Sequence, residues 1–293
     1  MSSYLETPYL ILARGPWRAE DIATRYWPPS TKPLDVVVAA KQQREPALVE
    51  AARRSRGHLF NGGIYGLQKF SNHHGPAGRP RLSLDFTSSS YFDTLCLDSG
   101  LDQPLTWHGK TTTLRQELFG QQPKTAIPSP HLVNFFGFGG LIITSDNFAI
   151  LTRRDSSMAI YPNYYTSSVD EGSAFPEDSD GRGGVDLLHM AARGAKEELD
   201  LDTDTQNVTF LSLAVNLELN NYFIVATITT PLTKAQVQAH LAQNLAVDAW
   251  ERGGLYFVPW DPKSITRFMN RHSPWVSVTV LEAIRHAFGP PSL

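Results

Sequence analysis

Residues 186–201 read Asp-Leu-Leu-His-Met-Ala-Ala-Arg-Gly-Ala-Lys-Glu-Glu-Leu-Asp-Leu. Set on a helix, Leu188, Ala192, Ala195 and Leu199 share an apolar stripe, while Asp186, His189, Arg193 and Glu197 share another face. Arg193 stands four residues before Glu197, within reach of an ion pair, and Glu198 adds a second carboxylate beside it. Adjacent carboxylates on one helix repel unless a cation relieves them, and a hard divalent ion with oxygen ligands, such as Mg²⁺, is the usual relief. The plainer alternative is a solvated helix face with an ordinary i, i+4 pair.

Such a helix needs a scaffold, and the second half of the chain reads as one. Residues 133–144 and 148–154 are two apolar runs joined by Ser145-Asp146-Asn147, a hairpin pattern. Residues 208–215 and 222–228 form two more strands around Asn220-Asn221, and a helix over 233–243 is capped by Thr233. The last helix starts at Ser273-Pro274 and runs to about Phe288. Residues 176–184 are too polar and glycine-rich for anything but a loop, and they lack the lysine of a nucleotide-binding P-loop. Tyr164 and Tyr165 could stack on a base or pack the core.

In the first half the pattern predicts a strand over 9–12, a short helix over 18–27 ended by Pro28-Pro29, and a helix over 46–56. That second helix carries Leu48, Val49 and Ala52 inward, with Arg53, Arg54 and Arg56 complementing its C-terminal dipole. Strands over 64–70 and 82–86 flank a turn-rich loop whose His73 and His74 lack a third nearby ligand. Residues 99–130, with one short helix over 112–119, read as a connection between an N-terminal unit and the rest.

The 293 residues suffice for one large or two smaller units, and 41% hydrophobic with 19% charged residues is ordinary globular composition. A net charge of −3 without a basic block gives no sign of a nucleic-acid backbone as the main partner, and none is expected. The single cysteine, Cys96, excludes an internal disulfide and fits a reducing compartment. No apolar run approaches the ~18 residues of a membrane span, so no membrane partner and a cytoplasmic location are expected.

The run from Ala191-Ala192-Arg193-Gly194 through Glu197-Glu198-Leu199 resembles the second half of the Nudix box, Ala-Ala-x-Arg-Glu-x-x-Glu-Glu-x-Gly, of diphosphate hydrolases. Residues 59–62 and 82–94, Leu-Phe-Asn-Gly followed by Leu-Ser-Leu-Asp-Phe-Thr-Ser-Ser-Ser-Tyr-Phe-Asp-Thr, are similar in order and spacing to the N-terminal domain of the UDP-sugar-hydrolysing Nudix branch. The resemblance implies an α/β fold of the α+β kind: a Nudix-type α/β/α sandwich with a mixed sheet over residues 131–293, preceded by an N-terminal α/β accessory domain over residues 1–130.

It also implies a metal-dependent hydrolase, with Mg²⁺ or Mn²⁺ as cofactor, that cleaves the diphosphate of a nucleoside diphosphate linked to another moiety such as a sugar. Its partner is then a small-molecule nucleoside diphosphate derivative; a second copy of the chain, in a homodimer, is left open. By the same resemblance Arg193, Glu197, Glu198 and Glu251 are catalytic, and Glu197, Glu198, Glu171 and Asp186 hold metal. Arg153 and Arg154, at the end of a strand, face the diphosphate, and Tyr164 and Tyr165 contact the substrate. The two arginines could equally be edge-strand charges facing water.

Two positions depart from the box: Gly194 stands where a glutamate should follow the arginine, and Val185 where a glutamate should precede it by eight residues. Either Asp186, Glu171 or Glu251 supplies the missing oxygens, with Gly194 leaving room for a sugar or a metal-bound water, or the domain is catalytically impaired and binds a nucleotide or nucleotide sugar as a sensor or scaffold. A protein-interaction module using the aromatic-rich surface is the reading from a third class.

Overall fold

The apolar runs of both halves become strands, and the computed structural model describes them over residues 8–55, 59–75, 78–120, 127–156, 161–203, 207–243, 252–272 and 277–289. The first half contains β1 (Tyr9–Trp17), a 3₁₀ turn (Ala19–Asp21), β2 (Ile22–Tyr26), α1 (Asp35–Arg54), β3 (Gly63–His74), β4 (Pro80–Ser90) and α2 (Tyr91–Leu97). The hairpin of β5 (Pro104–Trp107) and β6 (Lys110–Thr113) and the short α3 (Leu114–Phe119) complete it. The second half contains β7 (Phe136–Ile143), β8 (Phe148–Arg154), β9 (Tyr165–Thr166), β10 (Val169–Gly172) and α4 (Leu187–Leu199). It continues through β11 (Val208–Asn216), β12 (Asn221–Thr229), α5 (Lys234–Leu241), β13 (Arg252–Pro259), α6 (Pro262–His272) and α7 (Val278–Phe288).

The fold is α+β, as expected, on a mixed sheet of eight strands in the order β1-β11-β12-β7-β8-β13, with β10 on β7 and β9 on β8. β7 and β12 run parallel, while β11 and β12, like β8 and β13, are antiparallel. β7 is apolar on both faces, the pattern of a strand covered from both sides. Phe136, Phe138 and Ile142 join α4's Leu187, Met190, Ala191, Ala195 and Leu199 in one core cluster. Leu141 joins Ile265 and Met269 of α6 and Val280 and Ile284 of α7 in a second. Each such side chain contributes about 1.5–3 kcal/mol by leaving water.

The stretch before residue 130 does not stand apart from that sheet. β1 is its outer strand, pairing antiparallel with β11 from Tyr9 opposite Asn216 to Trp17 opposite Phe210. The smaller sheet, β2-β4-β3, meets the same core through Leu82, Leu84 and Phe86. Behind α2, the fully buried Asp98 accepts from the Val133 N–H at 3.2 Å and the Phe135 N–H at 2.9 Å, tying the first half to the strand that starts the second. Burial pushes its carboxyl up to about 7, against the pull of those hydrogen bonds.

Several local expectations are corrected. Residues 18–27 are not a helix: after the 3₁₀ turn, β-branched Ile22 and Thr24 favour the strand that pairs in parallel with Leu82–Phe86 of β4. α1 starts at Asp35, eleven residues before the expected point, because Val36, Val37 and Ala40 supply its buried face; Pro46 lies inside it and Val49 is 37% exposed. The buried stripe of α4 is Leu187, Met190, Ala191, Gly194, Ala195 and Leu199, so Leu188 and Ala192 flank it. α6 has no counterpart in the sequence reading. Arg56 lies outside the described residues. Among the described residues no helix is long and apolar enough to cross a membrane.

Candidate functional site

α4 is fixed at both ends. Asp186 caps it, its Oδ1 accepting from the Leu188 N–H at 3.0 Å and the His189 N–H at 2.9 Å. Asp200 ends it in the left-handed conformation, φ 52°, which turns the chain back so that the Leu201 N–H donates to the Ala195 carbonyl. At ~1.5 Å per residue, Asp186 stands roughly 16 Å along the axis from Glu197. The structure therefore keeps Asp186 apart from the other expected metal ligands and gives its oxygen to the helix start.

Arg193 is the hub. Its guanidinium donates from Nε to Asp178 Oδ1 at 3.2 Å and from Nη2 to Asp178 Oδ2 at 2.9 Å. Nη2 also reaches the Gly172 carbonyl at 2.7 Å, and Nη1 meets Glu171 at 3.0 Å and Glu197 at 3.2 Å. Burial works against the charge of Arg193, but Asp178, Glu171 and Glu197 outweigh it and hold its pKa above the ordinary value. Glu171, on β10, is pushed up to about 7 by burial, with Arg193 opposing the shift and the nearby Glu197 adding to it.

Asp178 is the member that sequence reasoning missed. Its side chain is fully buried and also takes His189 Nδ1 at 2.9 Å and the Ala174 N–H at 2.7 Å. It sits in a stretch that reads only as a polar loop. The one sequence signal was the helix face: His189 and Arg193, one turn apart on α4, share this carboxylate.

Glu198 lies on the adjacent side of α4, where its Oε1 accepts from the Asp170 N–H at 2.6 Å. That N–H lies on the β10 strand that pairs with β7, Asp170 opposite Gly139 and Glu171 opposite Phe138. Arg154, at the end of β8, reaches Asp170 Oδ2 at 3.3 Å and is 18% exposed. The structure thus gathers Glu171, Arg193, Glu197, Glu198 and Arg154 around β10 and the last turns of α4.

Gly194 is explained by packing, and here an expectation is corrected. A Cβ at 194 would lie 2.5 Å from Val169 Cγ1 and 2.9 Å from Glu171 Cβ. The space beside Gly194 is therefore filled by β10 and is not open to a sugar or a metal-bound water. Val169 and the Cβ and Cγ of Glu171 fill it, and the Glu171 carboxylate goes on to Arg193 Nη1. Val185 is buried, and its N–H and carbonyl are both bonded by the Thr24 hydroxyl, which anchors β2 to the helix entry.

The other expected site residues lie elsewhere. Arg153 donates to Asn163 Oδ1 at 2.8 Å. Tyr164 packs against the Tyr161 ring with centroids 5.1 Å apart. Tyr165 is a core residue, 8% exposed, set against Tyr256, Phe268 and His272. Glu251 lies outside the described residues.

Carboxylate oxygens are the donors that a hard divalent cation takes. Glu171, Asp178 and Glu197 meet the guanidinium of Arg193, Glu198 turns to the Asp170 N–H, and burial with carboxylate repulsion holds Glu171 up. Glu197 and Glu198 also occupy the last turn of α4, where the helix dipole favours a positive charge. Among the described residues no group of three or more His, Cys, Asp or Glu side chains is already gathered as a cation site.

No protein-family model matches the chain, and no curated protein matches it. Among solved structures, DR0079 from Deinococcus radiodurans is similar at 15% identity and a TM-score of 0.36, covering 53% of this chain and 83% of its own.

Proposed function

We propose that this chain is a Nudix-type hydrolase that uses Mg²⁺ or Mn²⁺ to cleave the diphosphate of a nucleoside diphosphate derivative, a UDP-sugar being the favoured class. The observation that carries the reading is the carboxylate relocated to β10: Glu171 stands beside Gly194 on the same Arg193 that holds Glu197. It supplies from a strand what the resembled box supplies from the helix. Glu171, Glu197 and Glu198 would hold the ion. When bound, such an ion neutralises charge on the diphosphate and activates water.

The chain's own residues do the rest. Arg193, fixed by the buried Asp178 and the Gly172 carbonyl, orients Glu171 and Glu197 and keeps them from drifting into solvent. Arg154, which reaches Asp170 Oδ2, is placed to exchange that contact for a phosphate oxygen. The apolar packing of α4 on β7 and β10 holds the donors on a rigid element, as ion and substrate placement requires.

The test is turnover of a panel of UDP-sugars with and without Mg²⁺. Phosphate-ester products should form only with the ion, and Glu197→Gln, Glu198→Gln and Glu171→Gln should each lower kcat by at least about tenfold, ~1.4 kcal/mol of barrier. Gly194 and Val185, in place of carboxylates, favour a second reading, a nucleotide-binding sensor without turnover. Ligand-induced thermal stabilisation with no product identifies that case.

A further inference from the structure

The loop between β10 and α4, residues 173–186, carries Asp178, and the small sheet β2-β4-β3 grips that loop on both sides of it. Before Asp178, the Ser173 hydroxyl donates to the Tyr65 carbonyl at 3.0 Å and accepts from the Tyr65 N–H at 3.2 Å. The Phe175 N–H donates to the Gly63 carbonyl at 2.9 Å, and the Phe175 ring packs on Tyr26 and Tyr65 with centroids 5.6 and 5.2 Å away. After Asp178, the Tyr26 N–H donates to the Gly183 carbonyl at 2.7 Å. The Thr24 hydroxyl donates to the Val185 carbonyl at 2.9 Å while accepting from the Val185 N–H at 3.0 Å.

These ties lead directly to the site. Val185 stands opposite Ser179 in an antiparallel bridge, with the Asp186 N–H on the Asp178 carbonyl at 2.8 Å and the Asp180 N–H on the Gly184 carbonyl at 3.2 Å. The N–H and carbonyl of Val185 itself stay outside that ladder, and the Thr24 hydroxyl takes both. Asp178, the residue before Ser179, sends its buried carboxylate to Arg193 Nε and Nη2 and to His189 Nδ1. Arg193 in turn meets Glu171 and Glu197. Two glycines permit the close approach: a Cβ at Gly63 would lie 2.6 Å from the Phe175 carbonyl oxygen, and one at Gly184 2.5 Å from Thr24 Oγ1.

The loop reads Ser-Ala-Phe-Pro-Glu-Asp-Ser-Asp-Gly-Arg-Gly-Gly-Val-Asp and has little apolar surface of its own, so its place is set by what holds its ends. A guanidinium is oriented only as well as the carboxylate that holds it, and that carboxylate only as well as its backbone.

We infer that Thr24 is a positioning residue of the Arg193 cluster: its hydroxyl, through Val185 and Asp178, sets the guanidinium that orients Glu171 and Glu197. The small sheet of the first half is thereby part of the site built by the second half. The consequence for turnover rests on the hydrolase reading; the positioning itself does not.

The experiment is NMR of the full chain without metal, following exchange of the Arg193 Nε–H with water, the resonance being assigned by its loss in Arg193→Lys. Thr24→Val keeps the branched shape, removes the hydroxyl and should speed that exchange by about tenfold or more, because the loop opens more often. Thr24→Ser keeps the hydroxyl and should stay within about twofold of wild type. Ile265→Val, in the α6 core on the other face of the large sheet, is the control for lost stability alone. If Thr24→Val does not fold, Ser173→Ala opens the other end of the loop and must speed the exchange likewise. Three results overturn the proposal: exchange in Thr24→Val no faster than in Ile265→Val, exchange in Thr24→Ser as fast as in Thr24→Val, or a wild-type Arg193 Nε–H that exchanges as fast as that of the exposed Arg53. With Mg²⁺ and a UDP-sugar, kcat should fall about tenfold in Thr24→Val and return in Thr24→Ser. A wild type without turnover defeats the hydrolase reading alone, and the exchange rates still decide the positioning.

Discussion

Replacing Arg193 by Met tests whether the site is an electrostatic unit or a solvated helix face. The change removes both bonds to Asp178, the bond to the Gly172 carbonyl and the contacts to Glu171 and Glu197. The Asp178 side chain is 0% exposed and that of Glu171 15%, so two carboxylates lose their counter-charge where water cannot replace it. Breaking a buried pair from one side costs about 3–5 kcal/mol. For a chain of 293 residues that corresponds to a fall in melting temperature of about 5–8 °C. Urea unfolding and thermal melts of wild type, Arg193→Met, Asp178→Asn and the double variant form the assay. The double variant should recover part of the loss, because neutralising Asp178 removes one stranded charge. A loss below about 1 kcal/mol, the range of exposed ion pairs, would refute the reasoning and return Arg193 to the class of surface residues.

Three further outcomes are expected. Gly194→Ala should destabilise by about 1–3 kcal/mol although alanine is the better helix former, because its Cβ meets Val169 Cγ1 at 2.5 Å; in urea unfolding the double variant with Val169→Ala should lose less than the sum of the two single changes. Asp98 makes the fold less stable as pH rises: its folded pKa, raised from 3.8 to about 7 by burial, means the native chain holds a proton that the unfolded chain releases. Its share of stability is complete below the unfolded pKa and is lost up to about pH 7, on the order of 4 kcal/mol at most, and Asp98→Asn should flatten that part of a stability-against-pH curve. Glu171→Gln should leave the melting temperature without metal unchanged or raised, since an amide can still accept from Arg193 without its charge, while abolishing stabilisation by Mg²⁺ in a thermal-shift titration.

Much of the second half was legible because its signals are local. β8 falls on 148–154 and α4 lies within 186–201, because alternation and helical spacing are written in neighbouring residues, whereas Asp186, read as a member of the helix face and a metal ligand, is the cap. α5 starts after Thr233, whose capping box with Gln236 is a four-residue pattern. The misses are non-local. Ile22–Tyr26 is a strand because Leu82–Phe86 lies beside it, some sixty residues on. The length of α1 depends on Val36, Val37 and Ala40 finding the cluster around Cys96 and Leu101, which no window over Pro46 reveals. In the site, the helix members Arg193, Glu197 and Glu198 could be found by spacing, and Glu171 by the family pattern. Asp178 could not, because nothing within its loop distinguishes it from Asp180, whose Oδ1 merely receives the Arg182 and Gly184 N–H groups.

The placement of β1 has a practical result for anyone dissecting the molecule. β11 is buried along nearly its whole length because Tyr9–Trp17 lies against it. A fragment begun after residue 130 would bare that apolar ladder, and an uncovered edge of this kind recruits whatever strand comes near. Such a truncation should self-associate, the more so because it also strips Leu82, Leu84 and Phe86 from the shared core.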